Sequence, residues 1–309
     1  MASNESKQYK TELHCAKIVG EINAKEIEAL ASAGFEGVET HAWDVDFAKA
    51  REGRRIAEAN GLKIHSVMCG GTLNKGEDLA EASIERLQKG LRVAAAYGAS
   101  SMLVVPGSVD NPGVKPWEFN ISFDPDTCLV SQVVEGDNSP YQGYIDAQNN
   151  ATLATRRYLS RLIPVAAYEG VTIGLENVWN NLWNSPELYA AFVHSFENVR
   201  VKSYFDLGNY VKFAPTERCL RALGKNSIVK LHFKDFLLTD HSNPNGGNFV
   251  PCGQGSNDWA LIRQTLDDIG YSGFATIEFE EAESTKLTSE QHVRKFKNFF
   301  SGVDVNDGV

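Results

Sequence analysis

The sequence predicts an α/β chain folded as one closed (β/α)8 barrel, and three observations carry that prediction. Eight short β-rich runs alternate with helix-type patterns along the 309 residues, the count of a closed barrel rather than of an open doubly wound sheet. Most of these runs, such as "SMLVV" and "VTIGL", are apolar on both faces, as parallel strands covered by helices are. Hydrophobic residues make up 42% of the chain, enough for one large core.

The runs lie at 13–19, 35–41, 62–68, 101–105, 171–178, 201–207, 228–236 and 274–279. Between them the helices carry their own punctuation. Asn23 and Glu26 form a capping box, and Ile22 with Ile27 supplies a hydrophobic staple. Ile84, Leu87, Leu91 and Ala95 repeat at helical spacing ahead of Gly98, where a C-terminal glycine belongs. The segment 106–145 breaks the rhythm, being rich in proline, glycine and aromatic residues and without long periodicity. A loop of that length reads as a lid over a site or a partner surface. Ser185 and Pro186 read as N-cap and first helical position. Asp258 opens a helix to Ile269 backed by Gly270, and 288–300 forms the closing helix. The expectation is a single domain over 1–309 with polar tails at 1–10 and 302–309.

Composition excludes several functions. A net charge of −10 without a basic stripe argues against nucleic acid. No run approaches the 18 or so apolar residues of a membrane span, and the first ten residues lead into no signal-like stretch, so a soluble cytoplasmic protein is expected. The five cysteines are odd in number, scattered and never in C-x-x-C spacing, which argues against a disulfide framework or a zinc-thiolate cluster.

The last four strands each end on an ionisable residue: "GLENVWNN", "YFDLGNY", "KLHFKDF" and "TIEFEE". The C-terminal ends of barrel strands converge on one mouth, so Glu176, Asp206, His232 and Glu278 are expected to meet there. Three ionised carboxylates need a compensating cation, and three oxygen donors with one imidazole suit Mn2+ or Mg2+, with Co2+ or Zn2+ as alternatives.

The contexts "LEN", "FDLGN", "LHFKD" and "IEF", with "GFEGVE" at 34–39, "AAAYGA" at 94–99 and "CGQGSNDW" at 252–259, resemble the xylose isomerase-like sugar isomerase/epimerase superfamily. Its members include D-tagatose 3-epimerases, hexulose-phosphate isomerases and inosose dehydratases. The resemblance implies a TIM barrel with one divalent metal on the four ligands. It further implies an isomerase or epimerase in which Glu176 and Glu278 transfer a proton on opposite faces of a sugar through a metal-bound enediolate. The alternative it implies is a metal-dependent lyase of the inosose dehydratase or keto-glycoside deglycosidase type, sharing the enolisation step. An apurinic-site endonuclease would need more histidines than the seven present, and a non-catalytic sugar-binding barrel would not need the intact ligand set. Where tagatose-type epimerases carry a histidine and a glutamate, this chain has Asn209 and Leu182. That departure points away from a free ketose and toward a sugar phosphate, an inosose or a keto-glycoside.

Substrate contacts are expected from His65 at the mouth end of strand three, from Glu39 and His41, from Lys234, Asn209, Trp179 and Asn180. Asn181 and Trp183 extend the strand-five loop. Gly253, Gly255 and Ser256 read as a tight turn, with an anion site at the following helix as the alternative. The expected partner is a small-molecule sugar, with neither nucleic acid nor membrane. The expected assembly is a homo-oligomer, and the long loop offers a place for a partner subunit.

Overall fold

The computed structural model describes residues 9–196, 200–278 and 287–300. Eight parallel strands close into a barrel: β1 Leu13–Ile18, β2 Gly37–His41, β3 Lys63–Met68, β4 Ser101–Val104, β7 Thr172–Glu176, β8 Val201–Asp206, β9 Ile228–Phe233 and β12 Gly273–Ile277. Each pairs in parallel with its neighbours in chain order, and β12 returns to β1. Around them, among the described residues, lie α1 Ala24–Ala33, α2 Phe47–Ala59, α3 Glu77–Tyr97, α4 Gln142–Glu169, α5 Pro186–His194, α6 Thr216–Leu223, α7 Trp259–Asp268 and α8 Ser289–Phe300. This is the (β/α)8 TIM barrel that the sequence predicts. The tails at 1–8 and 302–309, and Phe279 at the end of the eighth expected run, lie outside the described residues.

Local chemistry sets the helix ends. The Asn23 side chain accepts from the Glu26 amide at 2.9 Å, Ser185 caps α5 through the Leu188 amide, and Asp258 caps α7 through the Leu261 amide. In β9, "IVKLHF", alternation sends Lys230 and His232 toward the barrel axis. Phe233 points outward instead, against Trp259, Phe296 and Phe300 of α7 and α8. All five cysteines are buried and free. No described helix is long and apolar enough to cross a membrane.

Two expectations need correction. The run 228–236 is two elements, because after Phe233 the chain leaves the barrel as β10 Asp235–Leu238, which pairs antiparallel with β11 Gly247–Val250. The cause is Asp235, whose buried carboxylate accepts from the Phe236, Gly253 and Gly255 amides and from Trp259 Nε1. A Cβ on Gly255 would lie 2.1 Å from that carboxylate, so only glycine fits there.

The segment 106–145 is also more ordered than its composition suggests. It holds a short turn at Pro116–Glu118, the hairpin of β5 Ser122–Phe123 with β6 Val130–Gln132, and a second turn at Ser139–Tyr141. Residues 142–145 are the first turn of α4. Polar residues at core positions hide that helix: Gln148, Thr152 and Thr155 share its buried face with Tyr144, Ile145, Ala151, Tyr158 and Leu159. They dilute the apolar period on which a helix assignment rests.

Candidate metal centre

Glu176 ends β7, Asp206 ends β8 and pairs in register with His232 of β9, and Glu278 follows β12. One ligand atom from each lies within 4.8 Å of the others. His232 Nδ1 is 3.4 Å from Glu176 Oε1, 3.9 Å from Asp206 Oδ2 and 2.9 Å from Glu278 Oε2. Asp206 and His232 form a buried floor, whereas the Glu176 and Glu278 side chains keep 10% and 28% exposure toward the mouth. The sequence-predicted ligand set is thus brought together as one cluster.

Neighbouring backbone fixes which atoms face inward. Asp206 Oδ1 accepts from the Gly208 and Asn209 amides, both at 2.7 Å, which explains "DLGN" as a turn folded back on its aspartate. Asn177, directly after Glu176, clamps β7 to β8: its Nδ2 donates to the Asp206 carbonyl at 2.9 Å and its Oδ1 accepts the Asp206 amide at 2.6 Å. What remains are Asp206 Oδ2, His232 Nδ1 and Glu278 Oε2, buried atoms that face one another and make no hydrogen bond of good geometry, although Nδ1 and Oε2 lie 2.9 Å apart. Buried polar atoms are normally satisfied, so three convergent orphans of this chemistry fit a hard or borderline divalent cation.

Charges in the cluster compensate one another by proton uptake. Burial pushes Asp206 up to about 7 against the pull of Lys234. Glu278 is held below the usual carboxylate range despite its burial, because His232 and Lys234 lie beside it. His232 is raised well above an ordinary histidine, Glu39 and Glu278 outweighing desolvation. A cation would displace these protons, which couples its binding to pH.

The other predicted residues divide by position. Lys234 reaches the site, donating to Glu278 Oε1 at 2.8 Å. Glu39 is fully buried beneath it, 3.0 Å from His232 Nε2. His41 ends β2 and stacks on Trp43 at 4.7 Å. Trp179 lies half-buried on the rim, donating to the Asn209 carbonyl and stacking on Phe249. Asn209 is buried in the same turn.

Two expectations are corrected here, and a third is decided. His65 is not at the mouth: it lies in the lower barrel, its ring stacked on Phe274 at 4.4 Å and its Nε2 3.0 Å from Thr276 Oγ1, beside a basal cavity of about 290 Å3. Its position early in β3, three residues before Met68, decides this depth. Asn180 is buried and serves as a loop clamp, donating to the Gly107 carbonyl at 2.9 Å and accepting from Leu182 N. The Gly253 and Gly255 amides point at Asp235, so the turn reading holds and they present nothing to an anion.

Sequence reasoning missed Tyr204, Asn177 and Lys212. Tyr204 lies two residues before Asp206, so alternation alone places it on the same inner face. Lys212 stands 3.3 Å over the Trp179 ring, and burial lowers its amine to about 8. Only the folded loop brings it there.

A family profile described as xylose isomerase-like TIM barrel matches residues 27–299. Over 135 residues the chain is 28% identical to L-ribulose-5-phosphate 3-epimerase UlaE of Escherichia coli O1:K1, a stretch that makes up 44% of this chain. The chain thus spans only 45% of the length of that curated relative. Among solved structures, the IOLI protein with a binding zinc atom superposes with a TM-score of 0.69 at 16% identity, over 94% of this chain and 98% of that one. D-psicose 3-epimerase in the presence of D-fructose gives 0.66 at 14% identity, over 94% and 100%. At these identities the structural likenesses establish the fold.

Proposed function

The chain belongs to the xylose isomerase-like TIM barrel family, and from that premise we propose that it is a divalent-metal-dependent isomerase or epimerase of a sugar phosphate. The observation that carries the reading is the convergence of Glu176, Asp206, His232 and Glu278 with three orphaned buried atoms facing one point. Those four residues would hold Mn2+ or Mg2+, with Co2+ or Zn2+ also suited to the donor set, and zinc is the atom bound in the IOLI relative. When bound, the metal supplies Lewis-acid polarisation of a substrate carbonyl and a counter-charge for the enediolate.

The chain's own residues supply the proton chemistry. Glu176 and Glu278 are the two ligands that reach the mouth, one to take the proton from the carbon beside the carbonyl and the other to return it on the opposite face. Lys234 holds Glu278 Oε1 at 2.8 Å and so orients that carboxylate. The Trp179 indole carries Lys212 3.3 Å over its ring and so holds that cation at the rim.

Phosphorylated sugar is the substrate class we favour. The partial likeness to a ribulose-phosphate epimerase supports it, as do two cations on this face, Lys212 and Lys234. Asn209 and Leu182 also leave the pocket without the histidine and glutamate that serve free ketoses in tagatose-type epimerases. We further expect a homo-oligomer, which light scattering on the eluted protein tests.

Turnover of a panel of ketose phosphates, inososes, 3-keto-glycosides and free ketohexoses in D2O, with Mn2+ added and mass detection, tests the function. A gain of one deuterium on the carbon beside the carbonyl, at conserved carbon skeleton, supports isomerisation. Loss of water or an aglycone instead would make the protein a lyase with the same first step, and efficient epimerisation of free fructose or tagatose would overturn the phosphate preference.

A further inference from the structure

We propose that Glu39 is a positioning residue for the metal centre: from beneath the site it keeps the proton of His232 on Nε2 and so turns the Nδ1 lone pair to the cation. This rests on the metal-dependent reading above and concerns a residue 193 positions away from His232 in sequence.

Glu39 belongs to β2, in the half of the barrel that carries none of the four ligands, and its side chain is wholly buried. Its Oε2 receives the Tyr204 hydroxyl at 2.6 Å and lies 3.0 Å from His232 Nε2. Because the tyrosine hydroxyl donates to that oxygen, the oxygen acts there as an acceptor, and the only partner the imidazole can offer it is N–H. A neutral imidazole carries one proton. With that proton fixed on Nε2, the lone pair stands on Nδ1, the nitrogen that lies 2.9 to 3.9 Å from the three carboxylate ligands. The Tyr204 ring also packs on the imidazole, with centroids 4.8 Å apart, and limits its rotation.

Packing alone does not account for a carboxylate at this place. Glu39 Oε1 is buried without a hydrogen-bond partner, a costly condition that an apolar side chain of the same length would avoid. A carboxylate behind a ligating histidine does what an apolar side chain cannot: it fixes the ring orientation, makes Nδ1 a stronger donor and adds negative charge behind the cation.

Titration of metal-stripped protein with Mn2+, reading free Mn2+ by electron paramagnetic resonance, tests the assignment without substrate. Glu39→Met is expected to weaken Mn2+ binding about 10- to 100-fold, and Glu39→Gln, which keeps an acceptor oxygen, to recover most of it. Tyr204→Phe should give a smaller loss, and together with Glu39→Gln it carries the test if Glu39→Met does not fold. In crystals soaked with Zn2+ the metal should lie on Nδ1 of His232. A folded Glu39→Met with wild-type affinity, or a metal on Nε2, overturns this inference alone. A wild-type protein that binds neither Mn2+ nor Zn2+ overturns the metal reading with it.

Discussion

Asp206→Asn removes one charge from the centre but leaves an oxygen for the Gly208 and Asn209 amides, so it separates metal binding from folding. At 100 times its Kd, a ligand bound only by the native state adds about 2.7 kcal/mol of stability. Unfolding entropy of about 2.1 cal/mol/K per residue comes to about 0.65 kcal/mol/K over 309 residues, so Mn2+ should raise the wild-type Tm by about 4 °C. The metal-free comparison has the opposite sign. Burial raises the folded pKa of Asp206 to about 7, so this group contributes most stability below its unfolded value and loses it as the pH rises through the folded one. At pH 7.5 an ionised Asp206 therefore costs up to about 4 kcal/mol, or about 6 °C, which the asparagine variant regains. Differential scanning fluorimetry of both proteins, stripped and Mn2+-loaded at pH 5 and 7.5, reads all eight values. An Asp206→Asn protein that keeps the Mn2+ shift, or a wild type that shows none at millimolar Mn2+, would refute the reasoning.

Glu176→Gln and Glu278→Gln should each lower kcat by at least about 100-fold, the smaller end of general acid–base contributions, in the D2O assay that detects the wild type. Asp235→Ala leaves the Gly253 and Gly255 amides and Trp259 Nε1 buried without their acceptor, and should cost about 3 kcal/mol or more in a urea titration. His65 is held well below the ordinary histidine range by burial, with Lys230 and His232 adding to it. The unfolded chain therefore takes up its proton first, and the stability that neutral His65 confers is lost as the pH falls below about 6.5. His65→Phe should accordingly show a shallower fall in Tm than the wild type between pH 7.5 and 5.

The ligand set was legible because it needs only two facts, that Glu176, Asp206, His232 and Glu278 end successive apolar runs and that a barrel gathers such ends. Depth inside the barrel was not legible. It depends on how strands slide past one another, and the ladder slips between Val38 and Glu39 and between Ser203 and Tyr204. Glu39 and Tyr204, which lie under His232, each directly follow one of those slips, and nothing in "GFEGVE" or "VKSYFD" announces them. Helix α4 escaped for a different reason. Its buried face satisfies polar groups of the following loop, with Trp183 Nε1 donating to Thr152 and Gln148 Oε1 accepting the Trp183 amide, so its core positions look like surface.

The rim of the barrel is stitched together. Gly107 and Val109 exchange hydrogen bonds with Asn180 and Asn181, Trp117 lies on His241 at 3.9 Å, and Trp179 stacks on Phe249 of β11. Three stretches distant in sequence therefore behave as one inherited part. A loop graft that moves 107–141 onto another barrel without 177–185 and the β10–β11 hairpin would arrive with its seams cut. For anyone recombining such scaffolds, the smallest exchangeable module on this face is the trio.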